Sequence, residues 1–310
     1  MNSINPSGDN GMTANVDFGP TLVEGIERRN WSDLTFKRYV REYVIPQKPV
    51  IITGALEHWS ARTKWTLDFF KESYGHLPLV IDGRKLTMAD LISEVEASTP
   101  ERPAPYLRNH LVSSLPAELQ SDIRPMPDCT RPNWLEHPFI SFRASLTYVE
   151  LYIGGRGAKF PVLHYDGLHT HAYLMQLQGI KEYIVYPPDQ TPYMYPGKNG
   201  LESNSAVDDA EKGDHNRFPL FAKAHGRRFQ LYPEETLVVP AGWWHTARIL
   251  SPSITISING ANSANWSDFS ADFCKDYMSG RKLKAKAASV YLTAIGRFLS
   301  LQQYLTLGEI

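Results

Sequence analysis

The feature that most constrains the fold is a succession of short β-type runs between residues 140 and 260. Runs such as YVELYIGG, EETLVVPAG and SITISING are rich in β-branched and aromatic residues and are separated by Gly and Pro turns. Short strands at regular spacing with such turns are typical of an antiparallel barrel or jelly roll. The sequence therefore predicts a mainly β core with α-helical additions, and this core occupies 140–262.

Helical patterns flank the core on both sides. Three helices are predicted before it, at 31–45 with an N-cap at Ser32 or Asp33, at 63–75 and at 88–98, together with a buried strand at Val50–Thr53. Two more helices are predicted after it. We therefore divide the chain into a flexible tail at 1–19, a main domain at 20–262 whose N-terminal α/β part ends at 139, and C-terminal helices at 263–310.

The last predicted helix, 281–305, carries a stripe of side chains at three- and four-residue steps that is apolar except for one glutamine. The members of this stripe are Ala287, Val290, Tyr291, Ala294, Ile295, Phe298, Gln302 and Leu305. Such a stripe requires a covering surface, which is either the helix's own domain or a second copy of the chain. We expect the second arrangement, a homodimer formed through the C-terminal helices.

Composition excludes several classes of protein. The chain has 32 basic and 33 acidic residues, so its bulk charge gives no signal for nucleic acid. Its two cysteines, Cys129 and Cys274, form neither a disulfide framework nor a cysteine zinc site, which favours a reducing, cytoplasmic compartment. The N-terminus resembles no signal peptide, and no apolar run is long enough to span a membrane.

Two histidines and one carboxylate form the principal candidate site. His164 and Asp166 make an H-x-D pair, and on a strand residues i and i+2 point to the same side. His245 follows much later, in VVPAGWWHTARI. An H-x-D pair alone is weak, and a single histidine beside aromatic residues is more often a core residue. Together the three residues match the facial triad of non-haem Fe(II) oxygenases, which leaves open positions on the metal.

Lys181 shares one face of the predicted strand GIKEYIVYPP with Tyr183 and Val185. A lysine among apolar residues is costly to bury without a counter-charge, and a dicarboxylate co-substrate would supply one. The alternative is an exposed lysine beside a glycine turn. Lys181 is thus a candidate for binding an anionic small molecule.

The run SITISIN places its isoleucines on one face and Ser257 and Asn259 on the other. If the isoleucines pack against a second layer, the barrel interior receives polar groups that suit a small polar ligand. A half-exposed strand is the alternative. Tyr106 could hydrogen-bond a carboxylate. His169 and His171 are interpreted as loop or substrate-facing residues, because the triad is complete without them.

At these residues the sequence resembles the Jumonji-C (JmjC) hydroxylases of the cupin superfamily. The matching segments include KPVIITGALEHW, LHYDGLHTHAYLMQLQGIKEYIVYPPD, VVPAGWWH and SITISIN, and they extend from about Trp31 to Asn259. The spacing from the H-x-D pair to Lys181, with Thr170 and Ala172 between, is similar to that of JmjC lysyl hydroxylases.

The resemblance implies a double-stranded β-helix and an oxygenase that depends on Fe(II) and 2-oxoglutarate. It also implies seven site residues: His164, Asp166 and His245 as iron ligands, Lys181 as the partner of the distal carboxylate of 2-oxoglutarate, and Tyr106, Ser257 and Asn259 as further residues of the co-substrate pocket. One departure is Pro161, which stands where many members have Ser or Thr. Pro161 has no hydroxyl to donate to the co-substrate.

The expected reaction is hydroxylation of a C–H bond with consumption of O₂ and release of succinate and CO₂. A protein side chain, a peptide and a small molecule are all compatible substrates. N-demethylation is an alternative that we rank lower, because no reader module or zinc cluster accompanies the core. Two further alternatives are a metal-binding cupin without oxygenase activity and a zinc-dependent isomerase.

Overall fold

A computed structural model describes residues 19–141, 148–198, 200–214, 216–278 and 280–307. Nearly all of the predicted tail at 1–19 lies outside these ranges. The described part contains thirteen strands. In chain order they are β1 Thr21–Glu24, β2 Arg28–Asn30, β3 Val50–Thr53, β4 Pro78–Ile81, β5 Arg84–Thr87, β6 Leu107–Leu111, β7 Val149–Gly154, β8 His171–Gln178, β9 Lys181–Tyr186, β10 His225–Leu231, β11 Thr236–Val239, β12 Trp244–Ile249 and β13 Ser253–Gly260.

Two sheets form the core. The smaller has the strand order β1-β10-β9-β12, and the larger has the order β2-β3-β11-β8-β13-β7-β6. Within the core the pairs β8–β11, β8–β13, β9–β10, β9–β12 and β7–β13 are all antiparallel. The predicted jelly-roll class, a mainly β core with flanking helices, is confirmed.

The two faces of the larger sheet bury different side chains. Ile254, Ile256 and Ile258 of β13 pack on the face that meets the N-terminal helices, in the largest buried cluster of the described residues. The opposite face meets the smaller sheet, where Tyr183 and Phe229 stack with ring centroids 6.0 Å apart. The alternation of SITISIN therefore directs its isoleucines outward and its polar side chains into the barrel.

Helices cover the larger sheet and continue beyond the core. They are α1 Phe36–Tyr39, which runs directly into a π-helical turn at Val40–Val44, α2 Ala61–Lys64, α3 Leu67–Tyr74, α4 Met88–Glu96, α5 Ala117–Asp122, α6 Pro138–Ser141, α7 Trp266–Tyr277 and α8 Lys282–Leu307. The predicted helix at 88–98 is confirmed as α4, which begins with a capping box between Thr87 and Asp90.

Two predicted helices are interrupted in the structure. The first was expected to start at Ser32 or Asp33, but its N-cap is Thr35, whose side chain accepts a hydrogen bond from the Arg38 N–H at 3.2 Å. The second breaks at Thr66, where an extended backbone and a side-chain bond from the Phe69 N–H begin a new helix. In both cases a threonine competes for backbone donors and restarts the helix.

The C-terminal helix α8 packs on its own domain through a face that the predicted stripe does not describe. Leu292, Ile295 and Leu299 are buried in a cluster with Trp266 and Phe269 of α7. Of the predicted stripe only Ile295 is buried, whereas most of its other members are exposed. The α8 helix therefore has both an intramolecular partner and an uncovered apolar face. None of the described helices is long and apolar enough to cross a lipid bilayer.

Candidate active site

His164 and His245 are held beside each other by their own backbones. The His164 N–H donates to the His245 carbonyl at 3.1 Å, and the His245 N–H donates to the His164 carbonyl at 2.6 Å. This reciprocal pair is the hydrogen-bonded position of an antiparallel ladder, which places both side chains on one face. His164 was expected in a strand, but the structure gives it isolated bridges only, to His245 and Asn204.

The turn before β12 brings His245 to this position. Gly242 has φ +74°, in the left-handed region that favours glycine, and β12 then pairs with β9 so that His245 lies opposite Val185. The Pro240–Gly242 turn predicted from the sequence therefore aims the histidine at the barrel opening.

Asp166 precedes a tight loop whose backbone conformation is stabilised by contacts with α7 and with the residue before that helix. Leu168 and His169 both have positive φ, at 57° and 46°, which is unfavourable for side-chain-bearing residues. Two contacts stabilise the loop. Asn265, the N-cap of α7, donates from Nδ2 to the His169 carbonyl at 2.7 Å, and Asp272 Oδ2 of α7 lies 2.6 Å from His169 Nδ1. His169 is thus a loop residue, as predicted.

The three triad side chains fit one metal ion. Their ligand atoms all lie within 4.8 Å of one another. The Nδ1 atoms of His164 and His245 lie 3.1 and 3.0 Å from the carbonyls of Val162 and Trp243, and since a carbonyl only accepts, the ring protons sit on Nδ1. Both Nε2 lone pairs are therefore available to a metal. Burial, together with neighbouring His245, lowers the pKa of His164 and favours its neutral, ligating form.

Lys181, the first residue of β9, lines the same interior and is only 2% exposed. Its Nζ donates to the hydroxyl of Tyr106 at 3.0 Å, and in the described ranges no carboxylate lies within 4.0 Å of it. Burial lowers the pKa of Lys181 to about 7. An unpaired buried ammonium is unfavourable, so this position favours an incoming anion.

One cavity of about 240 Å³ is lined by all seven predicted site residues. Since liquid water occupies about 30 Å³ per molecule, this volume accepts a small organic molecule. Ser257 and Asn259 line it from β13, and Asn259 Nδ2 donates to Thr170 Oγ1 at 2.9 Å. The triad side chains and Lys181 thus open into the same space, as an anion that bridged the lysine and a metal held by the triad would require.

Sequence reasoning missed Glu150, Tyr152 and Asn109, which also line the cavity. Glu150 and Tyr152 alternate with buried apolar residues along β7, and this alternation was the available signal. Asn109 lies on β6, and its contact with β7 depends on a sheet pairing that the sequence does not reveal. Burial raises the pKa of Glu150.

Two interpretations from the sequence are changed. Pro161 is exposed and is not among the residues that line the cavity, so the missing hydroxyl falls at a position that faces away from it. His171 was expected to be a loop or substrate-facing residue, but it is buried in β8, and its Nδ1 accepts a hydrogen bond from the Ala241 N–H at 2.9 Å. His171 therefore supports the turn before β12.

Comparison with known families and proteins places the site in context. A family model described as a cupin-like domain matches residues 37–261. The matched segment contains every strand of the two sheets except β1 and β2, and it contains all seven predicted site residues.

Several of the curated relatives are demethylases by name. The chain is 28% identical to lysine-specific demethylase 8 of Xenopus tropicalis over 69% of this chain and 48% of that protein. It is 28% identical to lysine-specific demethylase JMJ30 of Arabidopsis thaliana, over 77% and 55%, and 24% identical to arginine-specific demethylase JMJ20 of the same plant, over 84% and 62%. The chain spans about half the length of the first two relatives.

Proposed function

The chain belongs to the cupin-like domain family, and from this premise we propose that it is an oxygenase dependent on Fe(II) and 2-oxoglutarate that oxidises a substrate C–H bond. The single observation that carries the proposal is the cavity in which a two-histidine, one-carboxylate triad and a buried, unpaired lysine face the same space. JmjC members of this family use Fe(II) and 2-oxoglutarate. When bound, the iron and its keto acid supply the activation of O₂.

The protein's own side chains would bind and orient the metal and the co-substrate. His164, Asp166 and His245 would hold the metal and leave positions open for other ligands. Lys181 would pair with the distal carboxylate of 2-oxoglutarate. The Tyr106 hydroxyl oxygen accepts a hydrogen bond from Lys181 Nζ. The hydroxyl proton of Tyr106 is therefore free to be donated to the distal carboxylate of 2-oxoglutarate.

Two outcomes of the C–H oxidation are compatible with this site. A hydroxyl group on a carbon side chain is the first, with a protein, a peptide or a small molecule as substrate. Loss of an N-methyl group is the second, and the names of the relatives favour it. Both begin with the same oxidation, because a hydroxylated N-methyl group decomposes to the free amine and formaldehyde.

The reaction can be tested with the purified protein, Fe(II), 2-oxoglutarate and O₂ against peptide pools containing free or N-methylated lysine and arginine. We expect succinate release that a substrate stimulates. A mass gain of one oxygen atom identifies hydroxylation, and loss of a methylene group identifies demethylation. If no pool gives iron-dependent succinate formation, a metal-binding cupin without oxygenase activity explains the site better.

The affinity for 2-oxoglutarate should depend on pH through Lys181. Burial holds the pKa of Lys181 at about 7 in the protein without an anion, so above that pH the side chain is increasingly neutral. A bound carboxylate favours the charged form, and binding must then take up a proton. We expect the affinity to fall roughly tenfold for each pH unit above 7. Anaerobic titrations at several pH values measure this, and a pH-independent affinity would contradict it.

We propose that the exposed face of α8 pairs with a second copy of the chain. Val290, Leu301 and Leu305 on this face are 64%, 56% and 74% exposed. Leu301→Glu combined with Leu305→Glu should weaken self-association by at least about tenfold, because each places a charge in an apolar contact. Sedimentation velocity measures the change, with Val23→Glu on β1 as an exposed control. A monomeric wild-type protein would reject the dimer.

We propose further that 20–262 is the catalytic domain, that 263–310 forms C-terminal helices with the dimer contact, and that the protein acts in the cytoplasm. Both cysteines, Cys129 and Cys274, are free, which is compatible with a reducing compartment. Fractionation of cells with a specific antibody tests the location.

A further inference from the structure

Glu150 places a second carboxylate in the active-site cavity, outside the metal triad. It lies on β7 directly opposite Ser257 of β13, and both side chains line the cavity. The group of residues whose ligand atoms lie within 4.8 Å of one another contains Asp166 and the two histidines but not Glu150. Neither metal binding nor co-substrate binding therefore accounts for this side chain.

The carboxylate is held in a fixed orientation through one of its oxygens. Tyr152 donates its hydroxyl proton to Oε2 at 2.8 Å, and Asn109 Nδ2 donates to the same oxygen at 3.2 Å. Asn109 Nδ2 also lies 3.0 Å from the Tyr152 hydroxyl, which closes the network. No residue in the described ranges donates a hydrogen bond to Oε1, so that oxygen has acceptor capacity for a ligand.

The charge of Glu150 has no partner in the part of the chain that the structure describes. No lysine, arginine or histidine nitrogen in these ranges lies within 4.0 Å of its carboxylate, and the only charged side chain of the described residues that perturbs its pKa is another acid, Asp166. Burial makes an unpaired carboxylate unfavourable, and Glu150 is half-buried in the wall of this ligand cavity. Its lack of a charge partner among the described residues points to a partner that arrives with the ligand.

The loaded site would leave this charge uncompensated. The charges of Fe(II) and Lys181 together balance Asp166 and the two carboxylates of 2-oxoglutarate, so Glu150 would remain as one net negative charge. Tyr152 separates the two ends of the cavity, because its ring lies 5.5 Å from Lys181 Nζ while its hydroxyl binds Glu150. The co-substrate anion would thus lie near the ring of Tyr152, and a cation would lie near its hydroxyl end.

We propose that Glu150 is a specificity-determining residue that binds a cationic group of the substrate, an ammonium or a guanidinium, beside the metal site. Tyr152 and Asn109 act as positioning residues that orient the carboxylate. This inference rests on the proposed oxygenase function, and it restricts the substrate to a molecule that presents a positive charge close to the bond that reacts.

The experiment compares three probes on the anaerobic protein loaded with Fe(II) and 2-oxoglutarate. N-acetyl-arginine methylamide and N-acetyl-lysine methylamide carry a cation, and N-acetyl-citrulline methylamide is the neutral match of the first. Calorimetry measures their binding without turnover. We expect at least one cationic probe to bind the wild-type protein about tenfold or more tighter than the citrulline probe, as for a charge-assisted hydrogen bond.

Variants isolate the contribution of Glu150. Glu150→Gln keeps the shape and an acceptor for Tyr152 but removes the charge, and it should bind cationic and neutral probes equally. Glu150→Asp should retain part of the preference. The control Glu72→Gln removes one charge from an exposed position on α3 and should leave the preference unchanged. A wild-type protein without cation preference, or a Glu150→Gln variant that keeps it, overturns the assignment.

The test separates this inference from the proposed function. The visible charge-transfer band of the Fe(II) and 2-oxoglutarate complex is recorded in the same samples, and Glu150→Gln should form it as the wild type does. If the wild type forms no band, the oxygenase proposal fails. If the band forms but the probes bind without regard to charge, only the role of Glu150 fails.

Discussion

Replacing Asp166 by alanine should abolish iron-dependent turnover. Asp166 is the only carboxylate of the triad, and its Oδ2 lies 3.7 Å from His245 Nε2, so both residues would be available to hold one ion. The variant leaves two neutral imidazoles, which cannot balance the charge of Fe(II). Loss of an outer partner of a metal ligand already reduces affinity or activity by about 10- to 100-fold, so loss of the ligand itself should exceed about 100-fold.

Metal content and succinate release measure this effect. The control Asp268→Ala removes an exposed carboxylate from the first turn of α7 and should keep both properties. Circular dichroism checks that Asp166→Ala is folded, as expected for a residue outside the apolar clusters. Full iron binding and turnover in Asp166→Ala would reject the triad.

Replacing Lys181 by methionine should raise the KM for 2-oxoglutarate by about 10- to 100-fold. The substitution removes one charge-assisted contact, whose contribution is about 1.5–3 kcal/mol, and keeps the side-chain volume. Saturating 2-oxoglutarate should restore much of the rate, because the metal ligands are untouched. Steady-state kinetics over a wide range of 2-oxoglutarate concentrations measure the change.

The same variant should make the protein without co-substrate more stable. Lys181 is 2% exposed and, within the described ranges, has only the Tyr106 hydroxyl as a hydrogen-bond partner, so methionine removes the cost of burying an ammonium. Denaturant unfolding measures the free energy of unfolding. Lys181→Arg, which keeps the charge in a larger group, is the matched control and should show no gain. An unchanged KM together with unchanged stability in Lys181→Met would contradict a buried co-substrate lysine.

Much of the site could be predicted because most of its residues form short-range patterns within single segments of the sequence. The H-x-D pair, the alternation around Lys181 and the SITISIN run each place side chains within one short segment. Alternation also separated an isoleucine face of β13 from a polar face, and the structure packs the isoleucine face against the N-terminal helices. The structure brings all seven predicted residues to one cavity.

The features that the sequence did not predict depend on strand pairing between distant segments, or on local conformations that are close in energy. Glu150 acquires its role from Asn109, 41 positions away on an edge strand that sequence patterns do not pair with β7. The buried face of α8 is the one that contacts Trp266. Helical periodicity alone is compatible with several faces of this helix, so it does not identify that face. The breaks at Thr35 and Thr66 arise because a side-chain cap is comparable in energy to continuing the helix.

The most direct test of the account is an anaerobic titration of the metal-free protein with Fe(II) and then with 2-oxoglutarate, followed by visible absorption. The account predicts a metal-to-ligand charge-transfer band in the wild type, weaker binding of 2-oxoglutarate in Lys181→Met and no band in Asp166→Ala. Iron binding without any band on addition of 2-oxoglutarate would contradict the account and favour a cupin that binds metal for another purpose.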